Sequence, residues 1–337
     1  MTTRRARRLA AAAAPAALAA CQGRQSVLDP AGPQALHLFN LGTFLWITAG
    51  IVFVLVMAAL AVALAQARRR DVPDLSEAGE GRARRIVAGA TGVTLAILLV
   101  FLVVSYLTGR AYAVTPEGGR PLQVTVVGHQ WWWEVQYSDS VNSRSLTTAN
   151  EIHVPVGRTV ILKMTSHDVI HSFWVPNLAG KKDLVPGYST TTWLRADRPG
   201  IYRGQCAEFC GYQHALMGLL VVAHTPEEFE GWLRSQRKPA ADPGDPRAQR
   251  GQQLFQSLSC ALCHTVQGTQ AGGKRAPDLT HLASRRTLAA GTLPNTSAQL
   301  SAWIADPQKF KPGTNMPATP MSAQDLQAIV AYLETLK

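Results

Sequence analysis

The chain has 337 residues, 47% hydrophobic and 16% charged, with 33 Lys and Arg against 22 Asp and Glu. That length leaves room for two or three domains. The excess of 11 positive charges has no single focus, with 11 basic against 5 acidic residues over 1–109, 11 against 11 over 110–235, and 11 against 6 over 236–337. No basic motif of a nucleic-acid-binding fold accompanies it, which argues against nucleic acid as a partner.

The N-terminus reads as an export signal. Arg4, Arg5, Arg7 and Arg8 precede an Ala-rich apolar run that ends in Leu18-Ala19-Ala20-Cys21. This is a lipobox, so residues 1–21 are expected to be a lipoprotein-type signal peptide, with Cys21 the acylated N-terminus after cleavage. Two apolar stretches follow, at about 42–65 and 86–107, each long enough to cross a bilayer and free of charge. Between them lie Arg68, Arg69, Arg70, Arg82, Arg84 and Arg85. The positive-inside rule makes this loop cytoplasmic, so both ends of a hairpin over 22–110 face outward. A lipid on Cys21 would require the same topology. The location expected is a bacterial cytoplasmic membrane, with the remaining two thirds of the chain on its periplasmic or outer side.

From about Leu122 to Thr225 the pattern is that of short strands. Leu122–Val127, Glu151–Val154, Thr159–Met164 and Ser189–Leu194 are separated by turns bearing Gly, Pro and Asn. Such spacing predicts a β-sandwich or Greek-key barrel over 111–235. Late in this region stands Cys206-Ala207-Glu208-Phe209-Cys210-Gly211-Tyr212-Gln213-His214-Ala215-Leu216-Met217, with His171 upstream. Thiolate, imidazole and thioether together favour copper. Zinc and a disulfide are the competing readings, and Met217 weighs against zinc. Two Cys in one loop suggest two coppers bridged by both sulfurs. Outside these motifs His37, His153, His167, His224 and His281 read as ordinary surface or core residues.

A segment over 236–246, with Pro239, Pro243 and Pro246, has the composition of a semi-rigid linker. Beyond it, over 247–337, helical patterns replace strands. Gly251-Gln252-Gln253-Leu254-Phe255 opens a helix that leads to Cys260-Ala261-Leu262-Cys263-His264. Two thiols at this spacing can form thioethers to one haem, and the adjacent His can reach its iron. Met316, in Pro312-Gly313-Thr314-Asn315-Met316-Pro317, is the expected sixth ligand, with Met321 the competitor. Asp325–Leu333 forms an amphipathic last helix.

These motifs carry two family resemblances. Residues 40–235 resemble subunit II of a haem–copper oxidase of the cytochrome c oxidase type, whose pattern Cys-x-Glu-x-Cys-x-x-x-His-x-x-Met is met in full. The resemblance implies a cupredoxin-like β-barrel with a binuclear copper centre held by His171, Cys206, Cys210, His214, Met217 and the backbone carbonyl of Glu208. It also implies that the Glu208 carboxylate helps hold magnesium at the boundary with subunit I. Gly128-His129-Gln130-Trp131-Trp132-Trp133-Glu134 matches the family's aromatic segment, in which Trp131 would be the residue that takes in electrons. The motif leaves Trp132 and Trp133 without assignment. Asp183 matches a position near the subunit I contact. Where many members carry a Glu at the start of the second membrane helix, this chain reads Arg82-Ala83-Arg84-Arg85-Ile86, and Glu77 and Glu80 are the nearest carboxylates.

Residues 247–337 resemble a class I cytochrome c. That resemblance implies an all-α fold in which the first and last helices cross at Gly251, Phe255 and Tyr332, and a Pro277 carbonyl that orients His264. The whole chain is therefore expected to be a membrane-anchored, multidomain subunit II with a fused cytochrome c. Its haem would pass electrons to the copper pair and on to subunit I, where oxygen is reduced to water with proton translocation. Other oxidase subunits and membrane lipid are the expected partners. A separate cytochrome c or a quinol-oxidising complex is the expected donor. The absence of an acidic excess over 110–235 suits a tethered donor better than a steered one. A nitrous oxide reductase would lack the membrane hairpin and need a further catalytic domain. A stand-alone electron-transfer lipoprotein would not need two membrane helices.

Overall fold

The computed structural model describes residues 23–68, 77–114, 120–138 and 145–337. Cys21 and the signal-peptide reading lie outside these residues, as do Arg69 and Arg70. Two compact units are present, one of residues 36–115 and the other of the remainder.

The first unit is built on two long helices, α1 (Pro33–Ala67) and α2 (Glu77–Ala113). Both are longer and more apolar than a bilayer crossing needs, and their spanning windows are unburied. They exceed the expected 42–65 and 86–107 because hydropathy marks only the apolar middle of a helix, whereas hydrogen bonding continues until a breaker intervenes. Phe44 and Phe101 meet edge-on, with ring centroids 5.4 Å apart.

The second unit begins with a ten-strand sandwich. One sheet has the order β3 (Leu146–Ala149), β2 (Trp132–Tyr137), β1 (Leu122–His129), β5 (Val160–Ser166), β8 (Thr190–Leu194). The other has the order β4 (Glu151–Pro155), β10 (Gly218–His224), β9 (Gly200–Cys206), β6 (His171–Trp174), β7 (Lys182–Leu184). Period-two alternation puts Val124, Val126, Trp133, Val135, Leu162 and Met164 into the shared core. The same alternation settles the aromatic run. Trp133 is fully buried in that core, while Trp132, on the other face of β2, stacks on His129 with centroids 4.3 Å apart. The segment before α1 seals one side, where Ala31 donates its N–H to Asn177 O at 2.7 Å and Asp197 donates to Ala31 O at 2.8 Å.

After α3 (Pro226–Gln236), the linker is not a free spacer. Ala240 donates to Gln267 O at 2.9 Å, and His281 Nε2 lies 3.0 Å from Lys238 O. The helical part comprises α4 (Pro246–Ser257), α5 (Cys260–Cys263), α6 (Ser297–Ala305), α7 (Pro307–Phe310) and α8 (Ala323–Leu333). A two-stranded ribbon, β11 (Thr287–Leu288) with β12 (Leu293–Pro294), departs from the expected all-α architecture. Two residues per strand leave too little alternation for a sequence reading to detect. Helices α4 and α8 cross at Gly251, where a Cβ would come within 1.9 Å of Ala328 O and 2.8 Å of Tyr332 Cβ. Phe255 and Tyr332 meet edge-on beside the crossing.

Gly251→Ala should therefore force these helices apart and cost roughly 1–3 kcal/mol. A thermal melt followed through the haem band should show a lower midpoint for that domain; an unchanged midpoint would contradict the close crossing.

Candidate metal centre and haem cavity

Strand pairing builds the first cluster. Strands β6 and β9 run antiparallel, with Phe173 opposite Cys206, so the start of β6 and the end of β9 share one edge of the sandwich. The loop after β9 is closed at both ends, as Cys206 donates its N–H to Met217 O at 2.9 Å and Ala207 donates to Ser172 O at 2.9 Å. A turn of 3-10 helix at His214–Leu216 then aims His214 back at the cysteines.

The result is a convergence of soft donors. Cys206 Sγ lies 3.7 Å from Cys210 Sγ, 3.8 Å from His171 Nδ1 and 3.2 Å from Glu208 O. Cys210 Sγ lies 3.7 Å from His214 Nδ1 and 3.9 Å from Met217 Sδ. His171, both cysteines and Met217 are buried. Both thiols are free, so the disulfide alternative is not realised. All six donors named from the sequence are thus brought to one place.

His171 is oriented from behind. Asp168 Oδ1 lies 2.8 Å from Nε2, and a carboxylate only accepts, so Nε2 carries a hydrogen and Nδ1 is the nitrogen that faces Cys206 Sγ. The other Asp168 oxygen accepts the Gln130 N–H at 2.7 Å. Gly128 leaves room for the imidazole, since a Cβ there would lie 2.7 Å from His171 Cδ2. Sequence reading missed Asp168, although its place three residues before a ligand was a usable signal.

The two thiols differ. A hydrogen bond from Cys210 holds Cys206 down to about 3, against the opposing effect of burial and with help from His171. The same hydrogen bond, together with burial, pushes Cys210 up. Burial works to lower His171, but its hydrogen bonds to Asp168 and Cys206 prevail and raise it.

Trp131 lies against this loop. Its Nε1 donates to Cys210 O at 2.9 Å, and Gln130 Nε2 donates to the same carbonyl at 2.8 Å. Glu208 is exposed, next to an exposed Phe209, and Asp183 is exposed on β7.

The second site is a cavity of about 890 Å³ between the helical part and the sandwich. Cys260, Cys263, His264 and Met316 line it, among Phe255, Leu279, Leu300, Ile304 and Ile329. Met321 packs into the neighbouring core instead. His264 Nδ1 lies 2.7 Å from Pro277 O, so it donates there and leaves Nε2 as the ligating nitrogen. Burial pushes the His264 pKa down, which keeps the imidazole neutral and able to ligate. Gln308 shapes the Met316 loop: its Nε2 donates to Thr314 O at 2.8 Å and Met316 O at 3.0 Å, and its Oε1 accepts from Gly313 N–H at 2.8 Å. Nothing in the sequence marked Gln308. Trp131 also lines this cavity, so one indole borders both sites.

Two family descriptions match the chain: cytochrome c oxidase subunit II, periplasmic domain, over residues 139–224, and cytochrome c over residues 248–337. The cytochrome c oxidase subunit 2 of Alkalihalophilus pseudofirmus is 36% identical over 334 residues, 95% of this chain and 94% of its own length. The chain belongs to the cytochrome c oxidase subunit II family. The corresponding subunit of Bacillus subtilis is 31% identical over 260 residues, 73% of this chain and 72% of its own. The solved periplasmic domain of subunit II from Bradyrhizobium japonicum matches at 29% identity with a TM-score of 0.34, covering 37% of this chain and 97% of that one.

As a subunit II with two membrane-crossing helices, a periplasmic copper-binding domain and a cytochrome c domain, the chain is the part of a haem–copper oxidase that receives electrons, and it associates with subunit I. The family's two cofactors suit the residues present. The soft donor cluster fits copper, and the apolar cavity with paired cysteines and a neutral histidine fits haem.

Metal ligation needs deprotonated thiols. The contact between them draws the Cys206 thiol toward ionisation and the Cys210 thiol away from it. Copper uptake by the metal-free chain should therefore release at least about one proton per chain, read with a pH indicator in weak buffer. Uptake without proton release would contradict the unequal thiol pair.

Proposed function

We propose that His171, Cys206, Cys210, His214, Met217 and the carbonyl of Glu208 hold a binuclear copper centre, and that Cys260 and Cys263 hold a haem c covalently with His264 and Met316 as its axial ligands. The observation that carries this reading is Trp131, which donates to the copper loop on one side and lines the haem cavity on the other. Cys206 and Cys210 would hold the copper pair between them, and such a pair would supply electron transfer with little reorganisation.

This chain's own residues prepare both sites. Asp168 fixes the His171 tautomer, and Met217, fully buried, closes the copper cluster against water. Pro277 fixes the tautomer of His264, and Gln308 fixes the backbone that carries Met316. Ligation by imidazole and thioether raises the iron potential and leaves no open position for oxygen. Trp131, between the haem cavity and the Cys210 carbonyl, would offer the path between the two groups when bound. Oxygen reduction and proton translocation then belong to subunit I.

The exposed Glu208 carboxylate is available to a magnesium ion shared with subunit I, and Asp183 to the same contact. Cys21 anchors the mature chain by lipid on the outer face of a bacterial inner membrane. The domains run as 22–110, 111–235 and 247–337, with 236–246 between the last two. A cytochrome c or a quinol-oxidising complex donates to the fused haem.

Metal analysis of the purified full-length chain should give two copper atoms and one iron per chain; a single copper would sink the binuclear reading. Met217→Leu should keep both coppers and shift their optical spectrum; an unchanged spectrum would remove Met217 from the ligands. Cys263→Ser should leave haem held by at most one thioether, visible as a shifted pyridine haemochrome band. A band unmoved by that change would refute the assignment of Cys263.

A further inference from the structure

Lys311 is buried, with 2% of its surface exposed, in the α7–Met316 connection of the cytochrome part. Its Nζ lies 2.9 Å from Trp131 O, 3.0 Å from Leu216 O and 3.2 Å from Ala289 O. All three ammonium hydrogens are thereby used. Two of the acceptors belong to the sandwich and one to the cytochrome part. The two in the sandwich are the carbonyl of the indole residue that borders both sites and the carbonyl just before Met217.

Other pairings surround this point. Gly218, the residue after Met217, donates its N–H to Ala290 O at 2.8 Å. Arg286 donates its N–H to Glu151 Oε1 at 2.6 Å, and Glu151 is itself buried. Gln213 Nε2 donates to Pro312 O, and Thr292 Oγ1 donates to Leu216 O at 3.3 Å. Ala289 and Ala290 both hold positive φ, at 51° and 57°. Non-glycine residues persist there only where surrounding contacts over-determine them; here Gly218 of the sandwich holds Ala290 O, while Lys311 and Thr292 hold Ala289 O.

We propose that Lys311 is a positioning residue that locks the cytochrome domain onto the copper domain, fixing the haem cavity against Trp131 so that it does not swing on its linker. The proposal rests on the assignment of haem and copper given above for what the lock achieves, but not for the lock itself. A lysine buried this deeply would, in an undocked domain, stand in water with its charge hydrated. Its desolvation is offset only where the carbonyls of the partner domain replace that water. Burial pushes its pKa down to about 8, so the ammonium remains the major form at neutral pH and can donate all three bonds. A merely tethered donor would gain local concentration alone. A locked one gains orientation as well.

The test uses the full-length chain in detergent. Amide exchange should show the N–H groups of Gly218 and Arg286 protected to a degree comparable with the interior of β10. In Lys311→Met both should exchange at least about tenfold faster, with Val221 and Val222 unchanged as a control for folding. Electron transfer from haem to copper after flash reduction should slow at least about tenfold and become dependent on solvent viscosity, with the optical spectra of both centres unmoved. Rapid exchange of Gly218 and Arg286 in the unaltered chain would overturn the proposal, and this measurement stands even if the variant fails to fold. Unchanged exchange and unchanged transfer in Lys311→Met would overturn it too. Protected amides in a chain that binds no copper would instead count against the metal assignment and leave the lock intact.

Discussion

The carbonyl of Cys210 is the point on which the electron-transfer architecture depends. It accepts from Trp131 Nε1 and Gln130 Nε2, and so fastens the aromatic segment after β1 to the loop after β9. Gln130 also donates its backbone N–H to Asp168, which orients His171. Three segments distant in sequence, 130–131, 168–171 and the loop at Cys210, are thereby tied together. The same indole lines the cavity of the cytochrome part, so no additional element has to bridge the two proposed centres.

Burial and charge are arranged consistently with this. The donor cluster pairs a thiol drawn toward ionisation with one held protonated, a set that suits soft cations and gives off protons on ligation. The haem cavity is lined by apolar residues such as Phe255, Leu279, Leu300, Ile304 and Ile329, with Lys274, Arg275 and Arg285 also on its wall. In both places the histidine tautomer is set by an acceptor on its far nitrogen, a carboxylate for His171 and a carbonyl for His264. The second device places no charge beside the imidazole.

What the sequence made legible was what lies close together along the chain. Cys206 to Met217 fit within one loop, and Cys260 to His264 within one turn, so residue type and spacing sufficed. The hairpin was legible because hydropathy needs no partner, and the sandwich because alternation is local. Contacts set by folding were not legible. Lys311 meets Trp131 across 180 positions, and a lone lysine before Pro312 carries no mark of burial. Gln308 shapes the Met316 loop by three bonds to backbone, which any sequence could provide. The linker composition suggested a spacer, yet Lys238 and Ala240 are pinned to the cytochrome part by groups further along the chain. Trp132 and Trp133 could not be told apart by motif; strand alternation separates Trp133, in the core, from Trp132, outside it.

The central claim is that two copper ions share one electron beside Trp131. Electron paramagnetic resonance of the copper-loaded full-length chain tests it most directly. Hyperfine structure from two equivalent copper nuclei is the predicted result. Splitting by one nucleus, or a spectrum without copper signal in a chain that carries its haem, would contradict the account.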